Sequence, residues 1–315
     1  MESTRRNVLT GLAALGAGGL LSACGTAASS GGGSEGSGGT GDEAIGKKVG
    51  QEVDHKIIGI EPGAGLTMAT QRMLKAYGLS DWTLQTSTTT TMLAALKKAV
   101  DAKKPIIVTL WRPHWAYSAF PIKDLKDPKG AMGKPDGIYA VGTKNFASDF
   151  PEVYAMLKNF HMTDADLAPL EEQVFSKHKS EPKKGVDVWM KQNKSFIDKL
   201  SKGVTAKPGK KTITIGYINW DEDVATTYMW QKVLEAKGYT VKVTQISDAG
   251  PVYIGLDKGD IDLFLDSWLP ATHKTYWDKY GDNLTKITKW YDSAPLTIAV
   301  PKYMKIDSLA QLKDN

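Results

Sequence analysis

Three tryptophans in this chain of 315 residues stand where strand-like runs end. Trp111 follows Pro105-Ile106-Ile107-Val108-Thr109-Leu110, and Trp220 comes soon after Thr212-Ile213-Thr214-Ile215-Gly216-Tyr217. Trp268 comes soon after Ile261-Asp262-Leu263-Phe264-Leu265. An aromatic residue beside a strand ordinarily packs into a core. Here two of the three share a context, Trp111-Arg112-Pro113 and Trp268-Leu269-Pro270. A Pro two residues after the ring stiffens the loop that aims it. Preorganised indole faces suit a ligand cation, worth about 2 kcal/mol or more per contact when desolvated. A quaternary ammonium suits them best, because it has no N–H whose hydrogen bond would be left unmade on burial.

The other end of such a ligand is legible as well. Gly63-Ala64-Gly65-Leu66 opens a helix with small residues, and the free N–H groups of a helix start make an anion seat. His273, five residues after Trp268, can donate to the same anion. Together these groups predict a small zwitterion, cationic at one end and carboxylate at the other. Asp221-Glu222-Asp223 beside Trp220 leaves a rival open. These residues read as acids complementing a helix dipole. Alternatively, Asp221 and Asp223 are the acid pair of a glycoside hydrolase whose Trp stacks on sugar. A third use of stacking Trp is an exported carbohydrate-binding lipoprotein. The sequence contains no Gly-x-Ser-x-Gly, His-Glu-x-x-His or P-loop pattern, its five His are scattered, and a single Cys excludes a Cys-based zinc site. No cofactor or metal is expected.

The elements that must position these groups alternate between strand and helix. In the first half the order is strand 56–60, turn 62–65, helix 66–77 closed by Gly78, strand 82–84, helix 92–101 with a capped start at 87–91, and strand 105–110 ending at Trp111. The second half repeats it: strand 212–217, loop 220–223, helix 225–236 closed by Gly238, strand 241–243, short helix 254–258, and strand 261–265 ending at Ser267-Trp268. Residues 152–200 read as helical, with Pro169 and Pro182 as breaks. Repeated βαβ units predict an α/β protein of two lobes, each with a mainly parallel sheet. In such sheets ligands bind at the carboxyl ends of the strands.

Residues 1–24 carry the zones of an export signal: Arg5-Arg6, an apolar stretch Val8–Leu21, then Leu21-Ser22-Ala23-Cys24. The last four residues resemble the lipobox of bacterial lipoproteins, which predicts lipidation at Cys24. Thr4-Arg5-Arg6-Asn7-Val8-Leu9 fits either a twin-arginine signal or a plain basic start. Residues 25–48 form a Gly/Ser-rich linker. The expected location is the outer face of the cytoplasmic membrane, held by the lipid. Lys+Arg 40 against Asp+Glu 35, with no concentrated basic stripe, points away from nucleic acid.

Several stretches resemble the glycine betaine/proline betaine-binding lipoproteins, the substrate-binding subunits of osmoprotectant ABC importers. They are Ile58-Gly59-Ile60-Glu61-Pro62-Gly63-Ala64-Gly65, Lys104–Trp115, Asp127-Pro128-Lys129-Gly130, Trp220–Thr227, Ser267–His273 and Val300–Met304. The resemblance implies a two-lobed periplasmic-binding-protein-like fold of type II, in a circularly permuted order, with the ligand cleft between the lobes. It implies a cage of Trp111, Trp220 and Trp268 around a quaternary ammonium, with His273 and the amides of Gly65 and Leu66 on a carboxylate. It also implies that the partners are glycine betaine or proline betaine, an ABC permease and its ATPase subunit. Trp115, which has no counterpart in the second half, is expected to pack behind the cage. The lobes are expected at 49–138 plus 300–315 and at 139–299. Since the ligand groups come from both halves, binding is expected to drive hinge closure, the form a permease would recognise.

Overall fold

The computed structural model describes residues 48–313. The signal over 1–24, Cys24 and all of the linker but Lys48 lie outside the described residues.

Two five-stranded sheets carry the fold. The first contains β1 (Lys56–Ile58), β2 (Thr83–Gln85), β3 (Val108–Trp111), β4 (Ile122–Asp124) and the late strand Leu296–Pro301, which becomes β10. The second contains β5 (Asp136–Thr143), β6 (Thr212–Ile218), β7 (Thr240–Ile246), β8 (Leu263–Leu269) and β9 (Leu284–Ala294). Their orders are β2-β1-β3-β10-β4 and β7-β6-β8-β5-β9. The expected βαβ units are present: β1 runs parallel to β2 and β3, and β6 runs parallel to β7 and β8.

The sheets are nevertheless mixed rather than mainly parallel. β10 is antiparallel to β3 and β4, and β5 is antiparallel to β8 and β9. β5 and β10 are the strands by which the chain changes sheet. The lobe limits expected at 138/139 and 299/300 therefore fall inside β5 and β10, and the chain crosses just before Asp136 and Leu296. A strand belongs to the ladder that satisfies its backbone groups, so the pairing sets the boundary.

Helices follow from apolar spacing and caps. Helix α1 (Gly65–Tyr77) buries Leu66, Ala69, Thr70, Met73 and Tyr77 along one stripe and stops at Gly78, where φ is +67°. Helix α2 (Thr89–Asp101) starts at Thr88, whose side chain accepts the Thr91 N–H. In the connecting region α3 (Asp164–Glu171) contains Pro169, which the sequence reading placed as a break. The missing Pro N–H is tolerated inside the last turns, and the chain widens only afterwards, over Glu172–Lys177. Pro182 is the first residue of α4 (Pro182–Gln192), a position where its lost N–H costs no intrahelical bond. Helix α5 (Asp221–Ala236) packs on β6, β7 and β8 and is covered by α3 and α4, which buries its entire first turn. Asp221–Asp223 are thus helical and not the expected loop. Helix α6 (Ala249–Lys258) and α7 (Lys274–Tyr280) complete the second lobe around the site.

Candidate functional site

Trp111 is the last residue of β3, Trp268 the penultimate residue of β8, and Trp220 the residue before α5. All three are buried, and each indole N–H is tied to a carboxylate. Trp111 Nε1 donates to Glu222 Oε2 at 2.8 Å, Trp220 Nε1 to Glu61 Oε2 at 3.2 Å, and Trp268 Nε1 to Asp266 Oδ1 at 2.9 Å. With its one donor fixed at the edge, each ring has only its apolar π face to offer. The three rings border one small cavity. Gly65, Leu66 and His273 border the same cavity, so the structure brings together all six residues singled out in the sequence.

One end of the cavity offers hydrogen-bond donors. The first helical bonds of α1 run from Thr67 and Met68 N to Ala64 O, so the N–H groups of Gly65 and Leu66 precede any intrahelical partner. Ala64 supplies no side-chain cap and the first turn holds no acid. His273 adds a third donor. Its Nδ1 accepts the Trp268 N–H at 3.1 Å, so the neutral ring must carry its proton on Nε2. Burial pushes this imidazole down to about 3, which keeps it neutral, and Nε2 is buried without a partner. An anion at this end would meet donors that nothing else satisfies.

The other helix start facing the site has the opposite character. Asp221, Glu222 and Asp223 fill the first turn of α5, and Asp266 on β8 and Glu171 on α3 lie close by. Burial pushes Asp221 up to about 7. Burial, and then mutual repulsion, hold Glu171, Glu222, Asp223 and Asp266 well above the usual carboxylate range. None of these acids has a Lys or Arg ion pair among the described residues. The acids offset the positive pole of α5, whereas the pole of α1 is left bare. The cavity is thus polarised, acidic behind the indoles and donor-rich at α1.

His114, also held neutral by burial at about 3, meets Trp111 edge-on at 4.6 Å. Trp115 stacks on His114 at 5.9 Å and donates to Asp221, one ring further from the cavity than His114. The sequence gives no role to Glu61 or Asp266, and reads Glu222 only as an acid complementing a helix dipole. Asp266 is two residues before Trp268 on a strand buried on both faces, where i and i+2 share a side. That spacing, in a segment apolar apart from Ser267, is the available signal.

The two lobes are in direct contact around the cavity. Trp111 bonds to Glu222 and Trp220 to Glu61 across the divide, and Trp115 to Asp221 likewise. Asp248 accepts the Gly63 N–H at 2.8 Å, and Tyr276 donates to Gly63 O at 2.9 Å. Asp136 accepts the N–H groups of Ala271 and Thr272, at 2.8 and 2.6 Å, and so holds the loop after Trp268 against Gly65.

Two α/β lobes linked by crossing strands, with a small polarised cavity between them, define a two-lobed ligand-binding protein of the periplasmic type. The family model for the substrate binding domain of the ABC-type glycine betaine transport system matches residues 42–192 and 211–315, and the chain belongs to that family. It is 33% identical over 270 residues to the glycine betaine/carnitine transport binding protein GbuC of Listeria monocytogenes, covering 85% of this chain and 89% of that one. Among solved structures, lactococcal OpuAC in its closed, glycine betaine-bound form aligns at 31% identity with a TM-score of 0.41, over 47% of this chain and 58% of that chain. ProX of Borrelia burgdorferi aligns at 31% identity with a TM-score of 0.41, over 49% of this chain and 57% of that chain. In both cases this chain spans less than two thirds of the solved chain's length.

Proposed function

We propose that the protein captures glycine betaine, or a related quaternary ammonium solute, and delivers it to the permease of an ABC importer. The observation that carries this reading is the cavity bordered by Trp111, Trp220 and Trp268, whose N–H groups are all engaged elsewhere. The rings can offer a ligand head only π faces, and the carboxyl that borders the cavity, Glu222, already accepts the Trp111 N–H, which fits a trimethylammonium group. The ligand carboxylate lies at the Gly65 and Leu66 amides and at His273 Nε2. Because these groups come from both lobes, the ligand completes the closed form, and that form is what the permease receives. The protein works outside the cytoplasm, anchored through a lipid on Cys24; no helix among the described residues is long and apolar enough to cross a membrane.

The carbohydrate readings draw less support. Asp221 accepts from Trp115, and Asp223 accepts the Ile218 N–H at 2.7 Å, so both carboxyls are engaged away from the cavity. Calorimetric titration with glycine betaine, choline and a disaccharide tests the assignment. Saturable binding of the two quaternary ammonium compounds, without binding or turnover of the disaccharide, is expected; the reverse pattern would overturn it.

A further inference from the structure

At the rim of the cavity the second lobe grips one residue of the first from both sides. Asp248 Oδ2 accepts the Gly63 N–H at 2.8 Å, and the Tyr276 hydroxyl donates to the Gly63 carbonyl at 2.9 Å. Neither side chain borders the cavity, so the grip is made without the ligand. In the second lobe both partners are themselves held. The other oxygen of Asp248, Oδ1, caps α6 by accepting the Ala249 N–H at 2.8 Å. Tyr276, on α7, stacks on Tyr253 of α6 at 5.6 Å, and these two rings meet the imidazole of His273 edge-on, at 6.2 and 5.8 Å. The Tyr276 N–H also donates to His273 O at 3.1 Å. In the first lobe, the Gly63 turn is closed by the Ala64 N–H on Glu61 O at 3.1 Å, and Thr67 Oγ1 of α1 donates to the same carbonyl at 2.8 Å. The grip on Gly63 therefore reaches the start of α1 on one side and His273 on the other.

We propose that Asp248 and Tyr276 are positioning residues: through Gly63 they set His273 Nε2 in register with the Gly65 and Leu66 N–H groups, so that donors from two lobes act as one carboxylate seat. The proposal rests on the reading of this end of the cavity as the place of a ligand carboxylate. Hydrogen bonds to a carboxylate are short, about 2.7–2.9 Å, and weaken steeply once their angle is lost. The Gly65 and Leu66 donors are fixed to one another by α1. The third donor rides at the start of α7 in the other lobe, so its place relative to them depends on how the lobes meet. The cage is more tolerant, because a π face attracts a cation out to about 6 Å from the ring centre. The bonds to Gly63 bridge the divided seat at short range. Gly63 stands two residues before Gly65, and Tyr276 three residues after His273.

A double-mutant cycle with His273 decides whether the grip acts through that residue. Tyr276→Phe keeps the ring and its stacking and removes the hydroxyl, so glycine betaine should bind about 3–10-fold more weakly, as for the loss of one hydrogen bond. Once His273→Ala is in place the second lobe has no donor left to register, and the same substitution should cost less than about twofold. A residue that only held the lobes together, or only stabilised the fold, would cost as much in either background. Equal costs therefore overturn the proposal, and so does an unchanged affinity in Tyr276→Phe alone. Calorimetric titration of the four proteins gives the cycle, and melting curves without ligand check that each is folded. If Tyr276→Phe does not fold, Asp248→Asn takes its place. Its amide leaves one oxygen for the two N–H groups of Gly63 and Ala249, and the same outcomes decide. Wild-type protein that binds no glycine betaine overturns the site reading itself, which separates the two failures.

Discussion

Gly65 and Thr272 touch across the boundary between the lobes, and the contact leaves no room for a side chain on Gly65. A Cβ there would stand 2.2 Å from Thr272 Cγ2 and 2.7 Å from Thr272 O. Gly65 is helical, so this requirement concerns approach and not backbone conformation. Gly65→Ala should therefore act on closure. Overpacking of this kind costs about 1–3 kcal/mol, or roughly 5–150-fold in affinity for glycine betaine, with little change in the thermal midpoint of the ligand-free protein. Calorimetry with a paired melting curve checks it, and an unchanged affinity would show that the two lobes need not meet at this point.

The proposed cage makes the next prediction. Replacing Trp268 by Ala removes one π face and should weaken glycine betaine binding by about 1–3 kcal/mol, roughly 5–150-fold. Trp111→Ala and Trp220→Ala should fall in the same range, with additional loss where the freed Glu222 or Glu61 carboxyl is left without its indole donor. Fluorescence or calorimetric titration measures these values. A dissociation constant like that of wild type in the Trp268 variant would remove that ring from the cage.

On the proposed reading, His273 separates the two ends of the ligand. There its unpartnered Nε2 donates to a carboxylate in a charge-assisted bond, whereas choline offers it only a neutral hydroxyl oxygen. His273→Ala should weaken glycine betaine by tenfold or more, as for the loss of a hydrogen bond to a charged group, and leave choline comparatively untouched. Because burial holds the ring at about 3, its contribution should not vary between pH 5 and 8. Equal losses for both ligands would take His273 off the carboxylate end.

The parts of the fold legible in the sequence are those whose signal is local. Strands β1, β3, β6 and β8 are short apolar runs between turns, and α1 and α2 have an apolar stripe with a Gly or Thr boundary. Strand β9 carries no such signal. Its buried residues, Leu284, Ile287, Trp290, Tyr291 and Ala294, recur at helical rather than strand spacing. The ladder with β5 explains this, since it slips register at several points, and each slip turns a different side inward. Site residues divide in the same way. The indoles, Gly65, Leu66 and His273 stand out by type and position, and they meet at one cavity. The acids behind the rings owe their importance to burial under α3 and α4, which nothing in Asp221-Glu222-Asp223 announces.

Asp221 should make the ligand-free protein more stable in mild acid than its surface charges alone would. Burial raises its folded pKa to about 7, against an ordinary 3.8. Between those values the folded state binds more protons than the unfolded state, so stability falls as pH rises from about 4 to about 7, and the full penalty is present above 7. Asp221→Asn keeps an oxygen to accept from Trp115 and abolishes the charge. The variant should exceed wild type in unfolding free energy at pH 8 by on the order of 2–4 kcal/mol, with the gap closing towards pH 5. His114 and His273 are buried neutral in both proteins and bind protons only on unfolding below about 6.5, a trend of opposite sign that largely cancels in the difference. Urea midpoints at pH 5 and 8 measure the gap. A gap that is absent at pH 8, or that widens in acid, would mean that Asp221 is ionised in the folded protein and is stabilised by its Trp115 bond and the α5 pole more than burial costs it.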